Sequence, residues 1–203
     1  MILESEKSID ARPRDWTIVL HWALPTFSKL LPNAVLANLD KAICNPRLDF
    51  TPDVECLPCF NGITGDLIFK SPMPGSRRVS RQRLRQVLDH GLGVQWDKKL
   101  VNISSTPDHV TLTFADSSTV QADFVLGTDG ASSTVRSLLF HGDPKANAVP
   151  SGYYLATAIL RHDDAAKVEP VHDAHPVATI MMGTSSVGGI GSNASHPLSL
   201  PLT

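Results

Sequence analysis

The sequence is short of the features that define several large classes of protein. It has only three cysteines among 203 residues, an odd and small number that fits a reducing compartment better than a disulfide framework. It has no excess of positive charge, because 18 Lys and Arg stand against 20 Asp and Glu, so a nucleic acid is not an expected partner. It also has no apolar run near the ~18 residues that cross a bilayer, so no transmembrane segment is expected.

The amino-terminal end lacks the apolar core of a secretory signal. The stretch "MILESEKSIDARPRD" turns polar almost at once. Together with the cysteine count, this predicts a cytoplasmic protein. The remaining composition, 42% hydrophobic and 19% charged, is that of an ordinary globular chain with one domain or two small ones. The oligomeric state stays open.

The first third of the chain predicts a mixture of short elements. "ILE" at 2–4 has the character of the tail of a buried strand, and residues 16–43 suggest two short helices broken by prolines. The runs "ECLPCF" and "DLIFK" flank the turn-rich "NGITG", which predicts a hairpin.

A helix is predicted after Ser80, which has the residue type of an N-cap. Leu84, Val87 and Leu88 form its apolar stripe. Arg81 shares the inward face of this helix, and an inward guanidinium needs an anion. That anion is a ligand or a buried carboxylate, unless the side chain reaches out to water.

The second half predicts a small group of strands and a helix. After the last predicted strand, Val135, Leu138 and Leu139 follow helical spacing, and no element is expected in 183–203, which we predict to be a disordered tail. The strand candidates are "GVQWDKKLVNI", "HVTLTF", "TVQADFVLG", "YYLATAIL" and "HPVATIMM". "TVQADFVLG" is the most apolar of the first three, so we expect it to be central.

The stretch "FVLGTDGASSTVR" at 124–136 reads as strand, tight turn and helix. Small residues at such a turn let a ligand approach free backbone N–H groups at the positive end of the helix. Asp129–Gly130 alone is also a common surface turn, so the motif by itself does not decide between a ligand site and a turn.

Several residues together carry a resemblance to a known family. Gly127, Asp129, Gly130, Ser133 and Arg136 match the pattern Gly-x-Asp-Gly-x-x-Ser-x-x-Arg. With Glu4 at a strand end and Arg81 on a helix, the sequence resembles the FAD-dependent monooxygenases of the aromatic-hydroxylase type. "RPRDWTIVLHWALP" and "PMPGSRRVSRQRLR" are similar to a fungal-type subset, and the resemblance covers residues 1–182.

The resemblance implies a set of FAD contacts. Glu4 would accept hydrogen bonds from the adenosine ribose, Arg81 would reach the ribityl and pyrophosphate side, and Asp129 would hold the ribityl chain. Gly127 and Gly130 would allow close backbone approach. The implied reaction is NAD(P)H- and O2-dependent hydroxylation of a small aromatic or polyketide-like substrate. It designates no catalytic residue in this chain.

The fold class implied is α/β, a partial Rossmann-like FAD/NAD(P)-binding domain with pieces of a β-rich substrate domain. The flavin domain would comprise 1–45 and 76–145, and the substrate domain 46–75 and 146–182. Departures from the family accompany this assignment. Only three residues precede Glu4, so the opening Gly-x-Gly-x-x-Gly is absent, and "GGIGSNA" at 188–194 is a chance mimic that no helix pattern follows.

These departures lead us to expect a chain truncated at both ends, colourless and without NAD(P)H oxidation. Two alternatives stay open: a non-catalytic remnant that cannot hold FAD, and an unrelated α/β binding module.

Other residue groups suggest chemistry less strongly. Cys56 and Cys59 have redox-pair spacing, but a proline lies between them, and two plain thiols are favoured. His172 and His175 have metal-ligand spacing in a segment without helical periodicity, for which a solvated loop is favoured. Trp22, with its neighbouring histidine, would line the flavin ring or simply pack. No metal site is predicted.

Overall fold

The computed structural model describes residues 1–12, 15–46, 48–52, 54–158, 164–174, 176–184 and 186–190. The helices are α1 Ala23–Leu30, α2 Asn33–Leu36, α3 Arg81–Asp89, α4 Thr134–Leu139 and α5 Ala165–Ala174, with 3₁₀ turns at Leu39–Ala42 and Pro144–Ala146. The strands are β1 Thr17–Leu20, β2 Cys56–Asn61, β3 Leu67–Pro72, β4 Arg77–Ser80, β5 Leu100–Ser105, β6 Val110–Phe114, β7 Thr119–Ala122, β8 Thr179–Met182 and β9 Val187–Ile190. The mixture of helices and sheets confirms the predicted α/β class.

The chain divides into two compact units. The first unit comprises 1–11 and 92–159, and the second comprises 12–91 and 160–203. The predicted boundaries between a flavin domain and a substrate domain stay a prediction. Across the described ranges, every helix is too short or too polar to cross a membrane.

The core of the second unit forms where an antiparallel strand pair meets α3. β1 pairs with β4, and Leu20, Ile43, Val79 and Leu84 are buried together with Ala42. The apolar stripe of α3 faces this cluster because Leu84 and Val87, one turn apart, lie on the same side of the helix. The sequence predicted α3 but neither strand of the pair, because four-residue strands carry too little alternation to be detected.

A four-stranded sheet completes the second unit, in the order β3-β2-β8-β9. β2 and β3 form the predicted hairpin, and β2 pairs in parallel with β8, with Cys59 opposite Ile180. β9 corrects the expectation of no element after residue 182, because it pairs antiparallel with β8. This segment is a strand because its backbone pairs with β8. Its Gly-Gly composition does not predict that pairing. Residues 191–203 of the predicted tail lie outside the described residues.

The first unit contains the antiparallel sheet β5-β6-β7. β6 is its central strand, and its alternating side chains Leu112 and Phe114 are buried. The amino terminus joins this unit through a parallel bridge between Leu3 and Gln95. The predicted buried strand at 2–4 is therefore a single bridge, and Met1 remains 74% exposed.

Two apolar segments of the first unit differ from the prediction. β7 ends at Ala122 and lies at the sheet edge, while Phe124 and Leu126 are about four-fifths exposed and outside any strand. Likewise the described part of "YYLATAIL", 153–158, contains no strand, and Tyr154 is fully exposed. Apolar character alone predicted strands here, but within the described residues no neighbouring strand pairs with either segment.

The segment around the histidines differs as well. We expected a solvated loop, whereas Ala165–Ala174 is the helix α5 with Pro170 inside it. Asp164 begins this helix by accepting from the N–H of Ala166 at 3.0 Å. His162 and His175 lie outside the described residues.

Candidate functional site

The Asp129 turn begins helix α4. The Asp129 carboxylate accepts a hydrogen bond from the N–H of Val135 at 3.0 Å and another from the hydroxyl of Ser133. The Ser133 hydroxyl in turn accepts from the N–H of Arg136 at 2.9 Å, as an N-cap does. Asp129 therefore accepts a hydrogen bond from a backbone N–H in the first turn of α4, although it lies outside the helix. This contact holds the carboxylate in one orientation.

Glycine is required at two positions of this turn for different reasons. A Cβ on Gly127 would lie 2.7 Å from the Cβ of Val135, so the backbone can approach α4 only without a side chain. Gly130 has φ +80°, in the left-handed region that favours glycine, and nothing lies within 4 Å of a Cβ placed there. The first glycine is a packing requirement, and the second leaves open space beside Asp129.

Arg136 closes the turn from the helix side. Its Nη2 donates to the carbonyl oxygen of Ala131. Its Nε is buried without a hydrogen-bond partner within the described residues. Ser133 and Arg136 thus hold the shape of the loop.

The hydrogen bonds also set the charge of Asp129. Partial burial raises the pKa of the Asp129 carboxyl, but the hydrogen bonds from Ser133 and Val135 outweigh it, so the pKa lies below its ordinary value. A lowered carboxyl pKa stabilises the folded state above the unfolded pKa of about 3.9, and this contribution is lost as the pH falls through the folded pKa. Asp129 therefore stays ionised at neutral pH.

We expect Asp129→Asn to make the stability of the first unit depend less on pH under acid conditions. The urea midpoint of the unchanged chain should fall as the pH is lowered from about 6 to about 3, and the variant should lose part of that slope. Trp96, the one tryptophan of the first unit, reports the transition when Trp16 and Trp22 are replaced by phenylalanine. Asp108→Asn, at an exposed turn of the same unit, is the control; equal slopes in both variants would contradict the capping role of Asp129.

Glu4 lies in the first unit, next to the bridge that holds the amino terminus. Its N–H donates to the carbonyl oxygen of Gln95 at 2.9 Å, and its own carbonyl oxygen accepts from the backbone N–H of Lys98 at 2.8 Å. Its Oε1 accepts from the N–H of Glu6 at 3.1 Å. A carboxylate has about four acceptor positions, so Glu4 retains acceptor capacity for a diol.

Arg81 begins α3 in the second unit and is half-buried. Its N–H donates to the carbonyl oxygen of Trp16 at 2.7 Å, which fixes the backbone at the start of the helix. Within the described part of the chain, its guanidinium has no hydrogen-bond or ion-pair partner. A fixed backbone with an unpaired cation suits an anion contact.

Asp15 supports the same helix end and was missed by the sequence analysis. Its Oδ2 accepts from the Ser80 hydroxyl at 2.7 Å, and its Oδ1 accepts from the N–H of Gln82 at 3.2 Å. Ser80 itself accepts from the N–H of Arg83 at 3.1 Å, which confirms the predicted N-cap. The partners lie 65 residues apart, so no local sequence signal could have revealed the pair.

The structure thus places the predicted FAD contacts in two groups. Gly127, Asp129 and Gly130 share one turn of the first unit, and Glu4 belongs to the same unit. Arg81 belongs to the second unit. Their common contact with FAD stays a prediction.

The remaining candidates are the cysteines, the possible metal ligands and Trp22. Cys44, Cys56 and Cys59 are buried, and none of the three forms a disulfide, as favoured for the Cys56 and Cys59 pair. Burial raises the pKa of the Cys44 thiol to about 11, so it is protonated at neutral pH. The described residues contain no cluster of metal-ligating side chains. Trp22 is 87% exposed, and its ring centroid lies 5.7 Å from that of His21, so lining the flavin ring and aromatic packing both stay open for this residue.

Curated relatives match along most of the chain. The FAD-dependent monooxygenase phnB of Penicillium herquei is 30% identical over 197 residues, which cover 96% of this chain and 47% of that protein. The FAD-dependent monooxygenase cctM of Talaromyces islandicus is 30% identical over 175 residues, covering 86% of this chain and 43% of that protein. The chain spans about half the length of the curated relatives it matches. No protein-family model matches it.

Solved structures share the fold at low identity. Tetracycline destructase Tet(55) superposes with a TM-score of 0.55 at 15% identity, over 94% of this chain and 45% of that one. CtdE in complex with FAD and a substrate gives 0.52 at 16% identity, over 66% of this chain and 32% of that one. Klebsiella pneumoniae HpxO complexed with FAD and uric acid gives 0.50 at 20% identity, over 66% and 34%. These structures show the fold, and the 30% identity to the Penicillium herquei monooxygenase along 96% of the chain shows that the chain belongs to the FAD-dependent monooxygenase family.

Proposed function

We propose that this chain serves NAD(P)H- and O2-dependent hydroxylation of a small aromatic or polyketide-like molecule, with FAD as cofactor. The observation that carries the proposal is the 30% identity to a fungal FAD-dependent monooxygenase along 96% of the chain. This similarity supports the proposal better than an unrelated binding module. A cytoplasmic location is part of the proposal, on the grounds of the low cysteine count.

The residues at the Asp129 turn fit a flavin nucleotide. The Asp129 carboxylate lies at an exposed turn, and a ribityl hydroxyl is a suitable donor to it. Open space at Gly130 leaves room for a ligand against the backbone. Both the Asp129 carboxylate and the backbone at Gly130 are therefore accessible to a ligand.

The proposed contacts bind and orient FAD, which supplies the oxygen-activating chemistry when bound and reduced. Glu4 would accept hydrogen bonds from ribose hydroxyls, Asp129 would accept from the ribityl chain, and Gly127 and Gly130 would allow backbone contact. Arg81 would donate to the phosphate side. Capping by Asp15 and Ser80 would keep Arg81 in place without touching the cofactor.

A chimera tests this assignment because the relatives are about twice as long. Residues 1–203 would replace the matching segment of the Penicillium herquei monooxygenase. We expect the purified chimera to be yellow and to oxidise NADH or NADPH with uptake of O2. A soluble, folded chimera without flavin absorbance would contradict the proposal.

Arg81→Gln in the chimera should weaken FAD binding by about tenfold or more, because a charge-assisted hydrogen bond contributes roughly 1.5–3 kcal/mol. Flavin fluorescence during dialysis and back-titration measures the dissociation constant. Arg85→Gln, on the same helix, is the matched control. Equal dissociation constants of FAD for the two variants would show that Arg81 does not contact FAD.

A further inference from the structure

We infer that Asp15 is a positioning residue whose carboxylate fills the start of α3 in place of an outside anion, so that a phosphate group meets the side chain of Arg81 and not the backbone. The first N–H groups of a helix have no partner inside the helix, and they bind phosphate in many nucleotide sites. Whether α3 offers such a site depends on the acceptors that its first N–H groups already have.

Two segments that are far apart in the sequence meet at the start of α3. The backbone N–H of Arg81 donates to the carbonyl oxygen of Trp16 at 2.7 Å. The next N–H, that of Gln82, donates to Oδ1 of Asp15 at 3.2 Å. Both acceptors belong to the two residues just before β1, so one short segment binds the first two N–H groups of α3.

The second carboxylate oxygen of Asp15 acts through Ser80. It accepts from the Ser80 hydroxyl at 2.7 Å, and the oxygen of that hydroxyl accepts from the N–H of Arg83 at 3.1 Å. The N–H groups of the first three residues of α3 therefore all have an acceptor in the chain. A carboxylate also has the charge that the positive end of a helix favours. A phosphate group that approached this backbone would have to displace Asp15 and would be repelled by it.

The guanidinium of Arg81 is a cation that these bonds leave available. Its side chain is half-buried, and within the part of the chain that the structure describes it has no hydrogen-bond or ion-pair partner. Because the Arg81 backbone is bound to Trp16, the direction in which the side chain leaves the helix is fixed as well. Asp15 thus acts on a phosphate group through Arg81 and is not itself a phosphate contact.

That the phosphate group belongs to FAD rests on the proposed function, whereas the closed start of α3 does not. The experiment therefore uses the 203-residue chain without flavin, with inorganic pyrophosphate as the probe. A chimera that fails to hold FAD would contradict the proposed function and leave this result unaffected.

The affinity of pyrophosphate for the unchanged chain should depend strongly on Arg81. NMR titration gives the dissociation constant, and Arg81→Gln should raise it by about tenfold or more. In an Asp15→Ala chain the N–H of Gln82 loses its acceptor and can contact the anion, so Arg81→Gln should then raise the constant by less than about threefold. A role of Asp15 in stability alone would leave the dependence on Arg81 unchanged.

Two further variants separate the hydrogen bonds of Asp15 from its charge. Asp15→Asn keeps an oxygen that accepts from the N–H of Gln82, so the strong dependence on Arg81 should return. Asp49→Ala removes an exposed carboxylate elsewhere in the second unit and should also preserve that dependence. Circular dichroism confirms the fold of each variant. An Asp15→Ala chain whose affinity still falls by about tenfold on Arg81→Gln would overturn the inference.

Hydrogen exchange at the Gln82 amide decides the question in the unchanged chain, even if Asp15→Ala does not fold. The exchange should be slow without pyrophosphate, because Asp15 already accepts from this N–H, and saturating pyrophosphate should not slow it further. The inference is wrong if pyrophosphate slows this exchange by about tenfold or more, or if the unchanged chain binds no pyrophosphate.

Discussion

Replacing Gly127 with alanine is expected to destabilise the first unit by about 1–3 kcal/mol, the usual cost of forcing an extra carbon into a filled contact. The added Cβ would lie 2.7 Å from the Cβ and 2.8 Å from the Cγ1 of Val135. These atoms belong to a β-branched residue in the first turn of α4, so rotation about one bond cannot clear them. The helix itself must move.

Movement of α4 would also disturb the carboxylate that begins it. Val135 donates its N–H to Asp129, so the overlap at Gly127 should lengthen that hydrogen bond. In the chimera, Gly127→Ala is therefore expected to weaken FAD binding as well. Gly127 acts on the cofactor site through Val135 and α4.

A double-mutant cycle tests this cause. Val135→Gly removes the Cβ and both Cγ atoms that the new Cβ would meet, so Gly127→Ala should cost less in that background, with a coupling of more than about 0.5 kcal/mol. Urea unfolding followed by Trp96 fluorescence gives the four free energies of unfolding. Additive effects would show that the cost at Gly127 does not come from Val135.

Leu84→Ala is expected to lower the free energy of unfolding of the second unit by about 2–5 kcal/mol. Leu84 is 6% exposed and packs in one cluster with Leu20, Ile43 and Val79. The substitution removes buried hydrocarbon and leaves a void that the strand pair and α3 can only partly close. Because α3 carries Arg81 at its start, the loosened helix should also hold the guanidinium less firmly.

Leu30→Ala is the matched control, since the same atoms are removed from a side chain that is 75% exposed on α1. Its effect should stay within about 0.5 kcal/mol. With Trp96 replaced by phenylalanine, Trp16 and Trp22 report on the second unit in urea. Similar losses for the two variants would show that Leu84 is not a core residue.

Local patterns predicted the elements whose signals lie close together in the sequence. Ser80 and the stripe of Leu84 and Val87 predicted α3 with its cap, and the turn between "ECLPCF" and "DLIFK" predicted the β2–β3 hairpin. The Asp129–Gly130 pair predicted a turn into a helix. The cap of α3 and the Asp129 turn bond residues within six positions, and the hairpin pairs residues at most 16 positions apart, so one short stretch of sequence contains each signal.

Contacts between distant residues could not be predicted in the same way. Asp15 caps a helix that begins 66 residues later. β1 and β4 pair although they are far apart in the sequence, so neither strand predicts the other. Conversely, the apolar run at Phe124 and Leu126 predicted a central strand, although burial depends on neighbours that hydropathy does not specify.

The parallel pairing of β2 with β8 has a consequence for how the chain is made. A ribosome adds about 5–20 residues per second, and Cys59 emerges well before Ile180, with the whole main segment of the first unit between them. The β2–β3 hairpin therefore waits for seconds with one strand edge open, and open edges of this kind pair readily with other chains. Synthesis in a host with ample chaperones should favour soluble product, because the sheet of the second unit is completed only after the main segment of the first unit has been made.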